Sequence, residues 1–184
     1  RLEILRNMAE LDQLIDEILL ASRLDAHEAD MGTVEVVDLV GLCAEECARV
    51  DAQLDLPEGV AVLEVQGVAK LLRRMVRNLL ENAARHGRSG QQDPMVLSLR
   101  PDGAELLLQV RDHGPGVPAA YRERIFEPFF RLPGVSEKSG SVGLGLALVK
   151  SIAERHGWRV GCGDAPGGGA CFSVWCRPQQ AGAA

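Results

Sequence analysis

Apolar and polar positions recur along the chain in three rhythms. The first is a heptad: Ile4, Leu11 and Ile18 repeat at one position, Asn7, Leu14 and Ala21 at another, and Met8, Ile15 and Leu19 widen the stripe. This predicts an amphipathic helix over Arg1–Leu24, ~35 Å long at ~1.5 Å per residue. Its apolar face calls for a partner, either a helical bundle between chains or the chain's own domain.

The second rhythm is helical without the heptad. It occupies Leu71–Gly87, LLRRMVRNLLENAARHG, which carries no Gly or Pro before its closing Gly87. Leu72, Val76, Leu79, Leu80 and Ala83 share one face, the expected core face. Asn78, Asn82 and Arg85 stand at i, i+4 and i+7 on a second face. Asn competes with the helix for backbone hydrogen bonds. Two of them in line mean either an exposed face that carries amides or a polar ligand lying against the helix.

The third rhythm is strand-like. Val34–Val37 is a short strand, followed by Asp38 as N-cap of a helix running to about Ala52. Pro57 and Gly59 mark a turn, and Val60–Val65 alternates like a strand. Met95–Arg100 and Glu105–Arg111 read as a hairpin turning at Pro101-Asp102-Gly103. Val117–Phe126 reads as a short helix with Pro118 in its first turn. Gly87–Pro94 and Glu127–Val142 read as loops, the second polar, Gly/Ser-rich and mobile. Gly143–His156 is a helix, and Trp158–Cys162 and Ala170–Cys176 are strands joined at Pro166–Gly169. Hairpins with helices gathered on one face give an α+β fold, a two-layer α/β sandwich with an N-terminal helix.

Composition narrows the classes. The 184 residues are 46% hydrophobic and 25% charged, enough for a sizeable core. A net charge of −6 argues against non-specific nucleic-acid binding. The five Cys lack CxxC or His-linked spacing and read as buried thiols in a reducing compartment. No apolar run reaches the ~18 residues that span a bilayer. Arg1 falls inside a helical pattern, as expected of a piece of a longer protein.

Two glycine motifs suggest chemistry. Asp112-His113-Gly114-Pro115-Gly116 follows a strand, and its carboxylate can accept from an exocyclic amine while the Gly residues admit a flat ring. Gly143-Leu144-Gly145-Leu146 opens a helix, where free N–H groups favour an anion. Each alone is also explained by a surface turn or by close packing. Neither is a P-loop or a Rossmann fingerprint.

Taken in order, NLLENAARHG, DHGPG, FEPFFR and GLGLALVK closely resemble the N, G1, F and G2 boxes of the ATP-binding domain of sensor histidine kinases. That domain belongs to the superfamily of gyrase, the Hsp90 chaperone and MutL. RIFEPFFR and GLGLALVKSIAERHG favour the kinases over the other members. The resemblance covers about Val34–Arg177, and Arg1–Leu24 resembles the second helix of the dimerisation and phosphotransfer bundle.

The resemblance implies a Bergerat-type sandwich with three parts: a partial bundle helix (1–27), the ATP-binding domain (28–178) and a C-terminal tail (179–184). It implies ATP and Mg²⁺ as ligands, with Asn82 on the metal and Asn78 supporting the phosphate or metal end. Arg85 would meet a phosphate. Asp112 would bind the adenine amine, with Gly114, Gly116 and Val117 shaping that pocket. Phe126, Phe129, Phe130 and Arg131 would hold the lid, and the N–H groups of Gly143, Leu144, Gly145 and Leu146 the triphosphate. A response regulator, a homodimer through the bundle, and a cytoplasmic placement under an inner-membrane parent are implied in the same way.

The chain departs from the family at three places: Gln66-Gly67-Val68 before the N-box helix, where the family often has Asp; Gly140-Ser141-Val142, less Gly-rich than usual; and Trp158, where a second Gly commonly follows His-Gly. The family's acceptor His, in a motif like SHELRTPL, is missing. His27 follows the helix and lacks that motif, while His86 and His113 lie within the nucleotide motifs and are expected near the ligand. The alternatives are a binding module that does not transfer phosphate and an ATP-hydrolysing clamp.

Overall fold

In the computed structural model, residues 2–28, 30–86, 94–134 and 142–179 are described. The chain opens with α1 (Leu2–Asp25), then β1 (Glu35–Asp38), α2 (Leu39–Val50), β2 (Gln53–Asp55), β3 (Glu64–Gly67) and α3 (Ala69–His86). There follow β4 (Val96–Asp102), β5 (Glu105–Arg111), two 3₁₀ turns (Ala119–Tyr121 and Arg124–Phe126), α4 (Gly145–Arg155), β6 (Arg159–Asp164) and β7 (Ala170–Cys176). One sheet runs β2-β4-β5-β7-β6 and a smaller one pairs β1 with β3. All neighbours are antiparallel except β2 and β4. Helices cover one face of the larger sheet, so the two-layer α+β sandwich is borne out.

The core face of α3 is where its period puts it. Leu72, Val76, Leu79, Leu80 and Ala83 are all buried, joined by Leu71 and Met75. Leu148 and Ile152 of α4 and Leu97, Leu108 and Val174 of the sheet complete this core. Truncating one such Leu costs about 2–5 kcal/mol. On its outer side α3 is fastened to α2 through Glu46, which is only 2% exposed. Arg77 grips that carboxylate with two bonds of 3.0 Å, and Arg73 and Arg49 add one each. Burial alone raises the Glu46 pKa, but the three guanidinium partners outweigh it and take it down to about 2.

Asp38 caps α2 as predicted, accepting from the N–H groups of Val40 and Gly41. α2 stops at Val50, because Asp51 turns left-handed at φ 56°. The β4–β5 ladder continues to Asp102 opposite Glu105, which moves the turn to Gly103-Ala104, with Gly103 at φ 60°. Three expectations are corrected. The strand read over Val60–Val65 is Glu64–Gly67 instead. β2 was not foreseen. The helix read over Val117–Phe126 is two 3₁₀ turns, broken where Arg122 donates back to Val117 O at 3.0 Å and reaches Asp164 at 2.6 Å. Residues 87–93 of the loop expected over Gly87–Pro94 and 135–141 of the Glu127–Val142 loop lie outside the described residues, as does the tail from 180 onward.

The cysteines match their reading as thiols. All five are unpaired, and four are buried. Burial pushes Cys47 up to about 11 and Cys162 to about 12, so both stay protonated and unreactive near neutrality. The C-terminal end of α1 packs into the core through Leu20, Ala21 and Leu24, while Ile4, Met8, Ile15 and Leu19 remain exposed. Among the described residues, no helix is long and apolar enough to cross a membrane.

Candidate functional site

A cavity of about 820 Å³ opens between α3, α4, the β5 end and the segment after it, with α1 across from α3. That is within the usual range for a small-molecule site. Asn78, Asn82, Arg85, Asp112, Gly116, Val117, Phe130, Arg131, Gly143, Gly145 and Leu146 all line it. Gly114, Leu144, Phe126 and Phe129 do not.

The wall from α3 is more structured than an exposed amide stripe. Asn78 is 5% exposed, and its Nδ2 donates to Gly145 O at 3.1 Å. A carbonyl partner fixes the amide orientation, so Oδ1 is the atom left for other contacts. The same bond ties α3 to the start of α4. Asn82, one turn on, is half-buried, and Arg85 is exposed. His86 also lines the cavity, and burial followed by the nearby Arg85 charge lowers its pKa. Both favour its neutral form. His113 lies off the lining.

The β5 end is built around Asp112, 3% exposed. Its Oδ1 accepts from Gly114 N at 2.9 Å and from Ala170 N at 3.0 Å. Gly114 thus acts on the site through Asp112. Ala170 N–H belongs to β7, so the carboxylate is held by its own turn and by the neighbouring strand. Gly169, at φ 96°, lies so close that a Cβ would overlap the Asp112 carbonyl. Gly116, at φ 76°, sits against Gly169, where a Cβ would come within 3.2 Å of its carbonyl oxygen.

The opposite end is formed by α4. Leu144 occupies its N-cap and supplies no side-chain cap. The first N–H groups of the helix receive no cap from the N-cap side chain, and Gly143 and Gly145 beside them line the cavity wall. Gly143 adopts φ 82°, and a Cβ there would be 2.9 Å from Phe130 O. Its carbonyl accepts from Phe129 N at 2.9 Å, joining the two ends of the intervening loop. Phe129 itself holds φ 63° with its ring exposed, a strained state for a bulky residue. Phe126 is in the core, and Phe130 stacks on Tyr121 at 5.9 Å beneath Arg124. Of the predicted lid residues, Phe130 and Arg131 reach the cavity, Phe129 shapes the backbone and Phe126 packs.

Sequence reasoning missed Ala170 and Phe172 of β7, although the Gly-rich turn before them was the available signal. It also missed the α1 wall, Asn7 to Glu17, for which no local signal exists.

Residues 67–180 match the family described as histidine kinase-, DNA gyrase B- and HSP90-like ATPases. The chain belongs to this family. The alginate biosynthesis sensor protein KinB of Pseudomonas aeruginosa is 35% identical over 90% of the chain, which spans 28% of KinB. The sensor protein RstB of Escherichia coli is 34% identical over 91% of the chain and 39% of its own length. Among solved structures, the mycobacterial sensor histidine kinase MprB matches at 28% identity and TM-score 0.62, covering 80% of the chain and all (100%) of that structure. Full-length ShkA in complex with AMPPNP matches at 26% identity and TM-score 0.75, covering 97% of the chain and 38% of ShkA. The chain therefore spans well under half of these full-length relatives and corresponds to the ATP-binding portion of sensor histidine kinases.

Proposed function

We propose that this ATPase-family domain serves a two-component sensor histidine kinase, passing the ATP γ-phosphoryl group to a His on a bundle helix outside this chain. The observation that carries this reading is the pairing of two unlike ends in one cavity. A buried, pre-held carboxylate stands at one end, and an uncapped helix start beside Asn78, Asn82 and Arg85 at the other. Asp112 has both its bonds on Oδ1, so Oδ2 suits an adenine amine. The α4 N–H groups, with Arg85 and Arg131, suit the triphosphate.

The residues present fit Mg²⁺. Asn82 and the Oδ1 of Asn78 are hard amide oxygens on the cavity wall. Among the described residues no group of three or more His, Cys, Asp or Glu could hold a metal alone. That fits an ion carried in with its phosphates, where it neutralises their charge. Catalysis is then mostly positioning and charge neutralisation, with an imidazole nitrogen in line with the γ-phosphoryl group. An ATP-hydrolysing clamp is less favoured, because the Asn78 amide cannot act as a base and its N–H is engaged by Gly145. α1 is read as the second helix of a dimeric phosphotransfer bundle, the onward acceptor as an Asp of a response regulator, and the parent as anchored in the inner membrane.

The test mixes this chain with a separately made bundle carrying the acceptor His and γ-labelled ATP. Transfer of label is expected, with loss of at least ~100-fold in Asn82→Ala while the far-UV spectrum stays unchanged. Proven ATP binding without transfer to a matched bundle sinks the kinase reading. Unchanged transfer in Asn82→Ala sinks the metal assignment.

A further inference from the structure

Asn7, Glu10, Leu14 and Glu17 fall on one face of α1 and line the cavity opposite α3. This wall carries two carboxylates and no cation. Glu17, 14% exposed, accepts from Arg74 Nη2 at 3.3 Å, and Gln13 donates to the same oxygen at 3.3 Å. Both bonds are long, so the catch is weak. Arg74 lies one turn before Asn78 on α3 and extends the line of Asn78 and Asn82. Among the described residues, the further anchors of α1 lie at and just after its C-terminal end. Leu24 is buried, Arg23 bonds Glu28 at 2.7 Å, and Arg155 of α4 donates to Glu28 O at 2.8 Å. Left-handed backbone follows at His27 (φ 50°) and Gly32 (φ 119°). The helix is thus a lever, pinned at one end and latched near its middle over the cavity.

We propose that docked α1 and bound nucleotide oppose each other, with the Glu17–Arg74 pair as the catch. The inference rests on the reading that the cavity takes ATP. A triphosphate beside the α4 start meets Glu10 and Glu17 across the cavity, and like charges in a partly desolvated space repel. Nucleotide therefore favours the state in which α1 swings away, and that swing frees Arg74 one turn from Asn78. Linkage makes the effect reciprocal: α1 weakens nucleotide binding by the factor by which nucleotide loosens α1. α1 position is then a means by which the rest of a larger protein sets the affinity of this site.

The test is calorimetry of Mg-AMPPNP binding to this chain and to Glu17→Ala, Glu17→Gln and Glu10→Gln, with peptide-resolved hydrogen exchange. The Glu17 variants should bind about 3- to 10-fold more tightly, at the low end of intersite coupling. Asp12→Asn, on the exposed opposite face of α1, should bind as the unmodified chain does. AMPPNP should speed exchange over residues 7–17 in the unmodified chain. Equal affinities across the set with unchanged α1 exchange overturn the proposal. Weaker binding in Glu17→Ala with slower α1 exchange also overturns it, since α1 would then be a contributing wall. Absence of AMPPNP binding in every variant overturns the ATP reading and this proposal together, whereas binding indifferent to Glu17 overturns the proposal alone.

Discussion

The two ends of the cavity are built on opposite principles. At the Asp112 end the chain holds its own polar group in place. The carboxylate is buried, two backbone N–H groups hold it, and two strands and a left-handed Gly turn fix its position. At the α4 end the helix start has no side-chain cap, Arg85 and Arg131 are exposed, and one wall is a weakly latched helix. In the proposed function the first end takes a neutral flat ring, whose recognition needs shape and one fixed acceptor, and the second takes a charged group that brings its own counter-ion. Substitutions at the first end should therefore damage fold and binding together, and those at the second should touch binding alone.

The largest effect should come from Gly169→Ala. Its φ of 96° strains any side chain, and the new Cβ overlaps the Asp112 carbonyl. We expect a loss of ~3 kcal/mol or more, a fall in Tm of roughly 6–12 °C, and AMPPNP binding at least ~10-fold weaker. Gly167→Ala separates strain from overlap. Its φ is 87°, but nothing lies within 4 Å of the added carbon. It should cost only ~1 kcal/mol and leave binding unchanged. Equal damage from both would show that the turn, and not its contact with Asp112, matters.

Asp112→Asn comes next. The carboxylate accepts from Gly114 and Ala170 and, in the proposed complex, from adenine. Guanine presents a carbonyl oxygen there, leaving two acceptors face to face. A buried unpaired acceptor costs ~1–3 kcal/mol, so the unmodified chain should prefer ATP over GTP by at least ~10-fold. Asn keeps one acceptor for the backbone and can turn its amide to donate, so ATP should weaken and the gap narrow. Equal affinity of the unmodified chain for ATP and GTP would contradict the adenine assignment.

What was legible in sequence follows the same division. The core face of α3 and the Asp38 cap are local patterns, and burial enforces them. Asn78 was visible as an oddity, but its burial against Gly145 was not, because that contact joins residues far apart in sequence. Ala170 enters the site only because β7 lies beside β5. β2 has three residues and exists through pairing with β4. Val117–Phe126 misled because Pro118 imitates a helix start. Only Ile125 and Phe126 of its two 3₁₀ turns are buried, so no apolar stripe holds a longer helix. The α1 wall depends on how one helix lies across another surface, which no window of sequence encodes.

The smallest effect, and the sharpest test of the contrast, belongs to Arg85→Ala. Arg85 is exposed on the last turn of α3 and lines the cavity. Its removal should leave Tm unchanged within ~1 °C, since an exposed side chain away from the core contributes little to stability. A solvated cation facing a phosphate is worth ~0.5–1 kcal/mol, so AMPPNP should bind about 2- to 5-fold more weakly. Salt decides whether that loss is electrostatic. The Debye length falls from ≈ 10 Å at 0.1 M to ≈ 3 Å at 1 M, so the difference between Arg85→Ala and the unmodified chain should shrink towards nothing at high salt. The Asp112→Asn penalty should persist there, because a buried hydrogen bond is little screened. An Arg85→Ala penalty that survives 1 M salt would mean that this end too is closed from solvent and pre-built, and the division between the two ends would fail.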